Sequence, residues 1–186
     1  MNELLLEIMK EVEGFISYEE LELLHTLAAS VPSGSNVVEI GSYRARSTVA
    51  LALGAKEAGA TVWAIDHHPV YETGDTHYSM ADNQAYYANI AHYGVGDVIK
   101  TINLPASQVW NIWLDNIALL WIDGDHQYEQ VHRDFNLWSV FTDTVILHDT
   151  AGFHPGVSQL LEEILAGGEW ICVKFVDSIS LLKRVN

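Results

Sequence analysis

Two apolar runs in this chain end in clusters of acids and imidazoles. Ile117 to Ile122 runs into Asp123-Gly124-Asp125-His126-Gln127-Tyr128, and Val145-Ile146-Leu147 runs into His148-Asp149. Short apolar runs bounded by turn residues read as strands buried on both faces. In an open parallel sheet, ligands sit beyond the carboxyl ends of the strands. Carboxylates and imidazoles placed there can move protons or hold a cation. Neighbouring strands lie roughly 5 Å apart. Adjacent strands would therefore bring Asp123, Asp125 and Asp149 to one metal-sized site, with His126 and His148 at its border. A lone Asp-Gly pair is a turn signal, but two strands both ending in acid and histidine favour a site. Regular strand alternation would send His148 and Asp149 to opposite faces, which makes Asp149 the better ligand of the two.

A second constellation lies upstream. Asn36 to Ile40 reads as a strand that enters Gly41-Ser42-Tyr43-Arg44-Ala45-Arg46-Ser47-Thr48, and a helix follows through about Ala58. Strand, glycine turn, then helix is the layout of a nucleotide-binding unit, with helix N–H groups free for a ligand. Thr61 to Ile65 is a second strand and ends in Asp66, 27 positions after Glu39. Such folds place an acid near this interval on a ribose hydroxyl. His67, His68 and His77 follow in a long loop, but their spacing is not that of a metal site.

The elements that must position these residues follow from periodicity. Residues 3–15 carry Leu4, Leu5, Ile8, Met9, Val12 and Phe15 on one helical face. Ser17 and Glu20 form a capping-box pattern before a second helix. This N-terminal pair is expected to cover the sheet or to shape a substrate or dimer surface. Ala81 to Tyr93 reads as a helix, Val98 to Asn103 as a strand, and Pro105 to about Leu114 as a short helix. Tyr128 to about Phe141 has an inward stripe of Val131, Phe135 and Trp138, with His132 and Asp134 expected outside. Val157 to Leu165 is helical. Trp170 to Val176 and Ile179 to Arg184, joined by Asp177-Ser178, read as an antiparallel hairpin. Strands alternating with helices imply a doubly wound parallel sheet, so one α/β domain spans 1–186, with residues 1–30 as a helical extension.

Composition bounds the partners. The 186 residues are 49% hydrophobic, and no apolar run is long enough to cross a bilayer. The formal charge of −16 repels phosphate backbones, so nucleic acid is excluded and a small neutral or cationic substrate fits better. Cys172 is the single cysteine and sits in an apolar run, where it reads as core filler. With no internal disulfide and no basic signal-like start at Met1-Asn2-Glu3-Leu4, the expected home is the cytoplasm, without membrane attachment. A homo-oligomer joined through the N-terminal helices is part of this reading.

The terminal hairpin after five strand–helix alternations resembles class I S-adenosylmethionine-dependent methyltransferases, which have a Rossmann-like sheet of order 3-2-1-4-5-7-6 with strand 7 antiparallel. The resemblance rests on Val37-Val38-Glu39-Ile40-Gly41, Trp63-Ala64-Ile65-Asp66, Ile122-Asp123-Gly124-Asp125-His126-Gln127-Tyr128, Asp134, and Ile146-Leu147-His148-Asp149. The I-D-G-D-H-x-Y and H-D stretches are similar to the small group around macrocin and sugar O-methyltransferases. It covers roughly residues 34 to 165. It implies that Glu39, Gly41 and Ser42 lie against the methionine part of the cofactor. Asp66 would hold the ribose, His67 and Ser107 would lie near the adenine, and Asp123 would border the cofactor. In that group, Asp123, His148 and Asp149 correspond to the ligands of a magnesium ion, and Asp125 to the general base. His126 is a second candidate base. Two departures stand out. Ala45 replaces a usual glycine, and His148 replaces an acid, which suits zinc, iron or manganese better than magnesium.

The expected activity is methyl transfer from S-adenosylmethionine to a hydroxyl of a small molecule, with or without a divalent metal. A non-catalytic ligand-binding protein of the same fold is the alternative that the two departures support. A nicotinamide-dependent oxidoreductase is a third reading, weakened by the absence of G-x-G-x-x-G after the first strand.

Overall fold

The computed structural model describes residues 2–67 and 79–185. His68 and His77 lie outside the described residues. Seven strands form one sheet: β1 (Asn36–Ile40), β2 (Thr61–Ile65), β3 (Ile99–Ile102), β4 (Ile117–Ile122), β5 (Thr144–Leu147), β6 (Trp170–Val176) and β7 (Ile179–Arg184). Their order is β3-β2-β1-β4-β5-β7-β6. β1 to β5 run parallel, and β7 is antiparallel to both β5 and β6. This is the expected order of the doubly wound sheet. The helices are α1 (Glu3–Glu11), α2 (Tyr18–Ala29), α3 (Arg46–Ala58), α4 (Met80–His92), α5 (Ala106–Trp110), α6 (Tyr128–Trp138) and α7 (Pro155–Gly167).

Strand alternation divides the core into two layers. Val37, Val62, Leu119, Trp121 and Ile146 meet Leu5, Ile8, Leu21, Leu24, Val49, Leu51 and Tyr86 from α1 to α4. Val38, Leu120, Ile122, Val145 and Leu147 meet Val131, Phe135, Trp138, Val157 and Leu160 from α6 and α7. Among the described residues, no helix is long and apolar enough to cross a membrane.

The register fixes the site. Ile40 pairs with both Ile65 and Ile122, and Ile122 pairs with Leu147. The four strands therefore stop in one row. Gly41, Asp66, Asp123 and His148 are the next residues in each chain segment, and they stand level along the carboxyl edge.

Three expectations change. The first helix stops at Glu11, because Val12 turns extended. The apolar pattern continues past it because Val12 and Ile16 still enter the core, while Phe15 points out at 84% exposure. The Arg46 side chain secures that segment by donating to the Val12 and Ile16 carbonyls. Second, Cys172 is exposed rather than core filler, since β6 is the edge strand and little packs over it. Third, Asp134 turns inward beneath the loop after β4, close under Gly124, and burial pushes its carboxyl up to about 6.

Candidate functional site

The loop after β1 is tightly wound. Gly41, Tyr43 and Ala45 have φ of 86°, 43° and 72°, alternate positions in the left-handed region. A Cβ on Gly41 would lie 2.2 Å from the Asp123 carbonyl oxygen, so only glycine lets this loop cross the end of β4. Ala45, at the start of α3, holds a conformation that glycine adopts without strain. The alternating backbone turns its N–H groups into a concavity for an anion. The Asp66 carboxylate occupies it: Oδ2 accepts from Ser42 N at 2.8 Å and Tyr43 N at 3.2 Å. Asp66 Oδ1 lies 3.9 Å from His67 Nδ1, and that imidazole is exposed. The Ser42 hydroxyl is buried with no hydrogen-bond partner.

Glu39 is wholly buried. It accepts from Ser47 Oγ at 2.5 Å and Thr48 Oγ1 at 2.6 Å. Burial pushes its carboxyl up to about 8 against the pull of those hydroxyls. Its oxygens face the first turn of α3, so it braces the loop from behind. Ser107 stands in α5, which packs beside α6 over the core layer of Val38, Leu120 and Ile122.

The second cluster is built at the ends of β4 and β5. His148 Nδ1 lies 2.9 Å from Asp123 Oδ1 and 3.2 Å from Asp149 Oδ2. Both groups reach one point because Asp149 is left-handed, with φ of 57°, so strand alternation ends at Leu147. The sequence expectation of opposite faces fails for that reason. His126 Nε2 lies 2.6 Å from Asp149 Oδ2. The His126 ring stacks on His154 at 4.0 Å, and His154 Nε2 is 3.9 Å from Asp149 Oδ1. Asp125 does not join the cluster. It is exposed, and its Oδ1 accepts from Gln127 N at 2.8 Å, closing the turn into α6. His154 escaped the sequence reading, since a histidine in a loop carries no spacing signal.

Gly156, at the start of α7, presses on the same loop from the other side. A Cβ there would lie 2.5 Å from Tyr128 N and 2.6 Å from the His126 carbonyl. The Asp-Gly-Asp-His loop is thus clasped between Gly41 and Gly156.

The electrostatics are those of a charged lattice. Burial opposes charge on His148, but the Asp123, Asp149 and Glu20 carboxylates around it outweigh that and push it up to about 12. Burial would also raise Asp149, yet His126 and His148 hold it well below the usual carboxylate range. The Asp149 contact raises His126. Burial raises Asp123, with His148 opposing and Asp149 adding. Asp123, His148 and Asp149 offer ligand atoms within 4.8 Å of one another, as do His126, Asp149 and His154.

Solved structures with this fold include O-methyltransferases. One from Bacillus cereus, in complex with SAH, is 16% identical with a TM-score of 0.71, covering 99% of this chain and 92% of that one. TomG from Streptomyces achromogenes, an O-methyltransferase of tomaymycin synthesis in complex with SAM, is 14% identical with a TM-score of 0.69, covering 100% and 91%. An SAH-bound methyltransferase from Podospora anserina is 15% identical with a TM-score of 0.71, covering 100% and 89%. The family model described as a methyltransferase domain matches residues 38–150, from inside β1 to just past Asp149. That match spans well over half of the chain and takes in both clusters apart from His154, and the chain belongs to the methyltransferase-domain family.

Proposed function

We propose that the protein transfers a methyl group from S-adenosylmethionine to a hydroxyl of a small molecule, as do the macrocin-like and sugar O-methyltransferases that its motifs resemble. The observation that supports this reading most is the single row of Gly41, Asp66, Asp123 and His148 at the carboxyl edge. It sets a cofactor-type loop beside an acid–imidazole cluster. The residues fit the cofactor: Ser42 offers a buried, unpartnered hydroxyl, and Asp66 ends β2 where such folds bind a ribose. When bound, S-adenosylmethionine supplies a methyl carbon activated by the sulfonium.

The chain's task is positioning and proton transfer. A hydroxyl held over Asp123 and Asp149 would give its proton to His126 as it takes up the methyl group. Asp149 fixes the His126 ring. Asp125 shapes the turn that presents His126. The acidic chain favours a neutral or cationic acceptor.

Two carboxylates and an imidazole suit a transition-series cation better than magnesium. Asp123, His148 and Asp149 would hold such an ion, which would lower the pKa of the acceptor hydroxyl. His148 must first release its Nδ1 proton, which the carboxylates retain, so metal binding is linked to pH.

The test is calorimetric titration with S-adenosylmethionine and with NAD. Turnover of radiolabelled S-adenosylmethionine across phenols, catechols and sugars follows, with and without chelator. Binding of NAD alone would overturn the reading, as would tight S-adenosylmethionine binding with no ether product from any acceptor.

A further inference from the structure

Glu20 belongs to the N-terminal helix pair, outside the matched family region, yet it is only 2% exposed. A glutamate in the first turn of a helix normally points into water, where it caps and favours the helix dipole. This one points into the body of the protein. Oε2 accepts from Ser17 N at 2.8 Å as the capping box requires. Oε1 accepts from Ser178 N at 2.8 Å and Ser178 Oγ at 2.6 Å, which pins the turn between β6 and β7 to α2. Oε1 is thereby saturated, and Oε2 keeps one face open.

His148 Nε2 lies against that face, 3.5 Å from Oε2. This nitrogen is buried and makes no hydrogen bond, so the Glu20 contact is an ion-pair contact across 3.5 Å. The other face of the ring packs on Trp121, at 5.4 Å between ring centres. Among the described residues, Glu20 is the one carboxylate within 4.0 Å of Nε2. Leaving a buried N–H without any acceptor is costly. Rotating the ring by 180° about its bond to Cβ would exchange nitrogens for carbons, and would cost the Nδ1 contacts to Asp123 and Asp149.

We propose that Glu20 is a positioning residue of the site: from α2 it fixes the ring of His148 so that Nδ1 faces Asp123 and Asp149. The N-terminal helix pair then completes the site as well as covering the sheet. The kinetic part of this inference rests on the methyltransferase reading, and the spectroscopic part does not.

Glu20→Gln tests it. With its carbonyl kept on Ser178, the amide group faces both Ser17 N–H and the Nε2 proton, so the acceptor is lost. Ser178→Ala is the structural control, because it removes a bond to Glu20 without touching His148. The first readout is the long-range 1H–15N spectrum of histidine-labelled protein without ligand. Wild type gives a slowly exchanging His148 Nε2 proton, and Ser178→Ala retains it. Glu20→Gln loses that signal. The second readout is turnover. Glu20→Gln lowers kcat roughly tenfold to a hundredfold, the usual cost of losing a carboxylate behind a functional imidazole, with KM for S-adenosylmethionine changed by less than about twofold. Ser178→Ala lowers the melting temperature and leaves kcat within about twofold.

The inference is overturned if wild type shows no protected Nε2 proton, which needs no variant. It is also overturned if Glu20→Gln leaves that signal in place, or lowers kcat no more than Ser178→Ala does. A wild-type protein that shows the signal but methylates no acceptor sinks the methyltransferase reading and leaves the positioning role standing.

Discussion

Asp66 and Ser42 meet across the carboxyl edge: the Asp66 carboxylate accepts the Ser42 N–H at 2.8 Å. One oxygen thus ties the end of β2 to the glycine turn after β1. Removing it strands the Ser42 and Tyr43 N–H groups together. Asp66→Ala is expected to lose about 1–3 kcal/mol of S-adenosylmethionine affinity. Calorimetric titration measures this, and an unchanged affinity would detach Asp66 from the cofactor.

Ala45 carries strain that its usual glycine would not. The left-handed conformation costs an L-residue roughly 1–2 kcal/mol, while the buried methyl returns about 0.8 kcal/mol. Ala45→Gly should therefore stabilise the fold by up to about 1 kcal/mol. Urea unfolding reports it. A midpoint lower than wild type would show that the methyl's packing matters more than the strain.

Glu39 and Glu20 should give opposite pH slopes. The folded protein raises Glu39 from 4.5 to about 8. Between those values the folded state holds a proton that the unfolded chain has lost, so this group's contribution falls as pH rises. Glu20 is instead lowered to about 2, despite burial, by the His148 imidazole beside it and by bonds from Ser178 and Ser17. Its contribution is complete above pH 4.5 and is lost as pH falls toward 2. Stability measured against pH for Glu39→Gln and Glu20→Gln checks both signs. Parallel curves for the two variants would contradict the assignment.

Gly156→Ala should damage the site more than the fold. The added methyl would press on Tyr128 N and the His126 carbonyl. Overpacking of this kind costs about 1–3 kcal/mol, and here it falls on the loop that carries His126. We expect kcat to drop at least tenfold while KM for S-adenosylmethionine stays within about twofold, since the β1 loop is on the other side. Steady-state kinetics in both substrates decide it, and a change confined to KM would place the loop in cofactor binding instead.

β1 and β4 were legible because they are buried and read as near-continuous apolar runs, and β6 and β7 because two apolar runs flank the Asp177-Ser178 turn. The row of Gly41, Asp66, Asp123 and His148 followed from the strand ends alone. Three things were not legible. The left-handed Asp149 has no local signal, so the alternation rule misplaced it relative to His148. Glu20 and Asp82 are buried acids in first helical turns, where composition predicts solvent. Their partners, Ser178 and Arg44, are set by tertiary contact. The inward turn of Asp134, whose carboxylate comes to rest under Gly124, is likewise set by tertiary contact.

The open edge of the sheet has a colloidal consequence. β6 presents Ile171, Val173 and Phe175 half-exposed, on a strand that has no strand beyond it among the described residues. Such an edge is a template for joining another strand. The formal charge of −16 opposes that encounter between copies. The opposition weakens in concentrated salt, and it vanishes as pH approaches the isoelectric point near 4.7. Light scattering should therefore rise under both conditions, and a Val173→Lys substitution on the edge should suppress it.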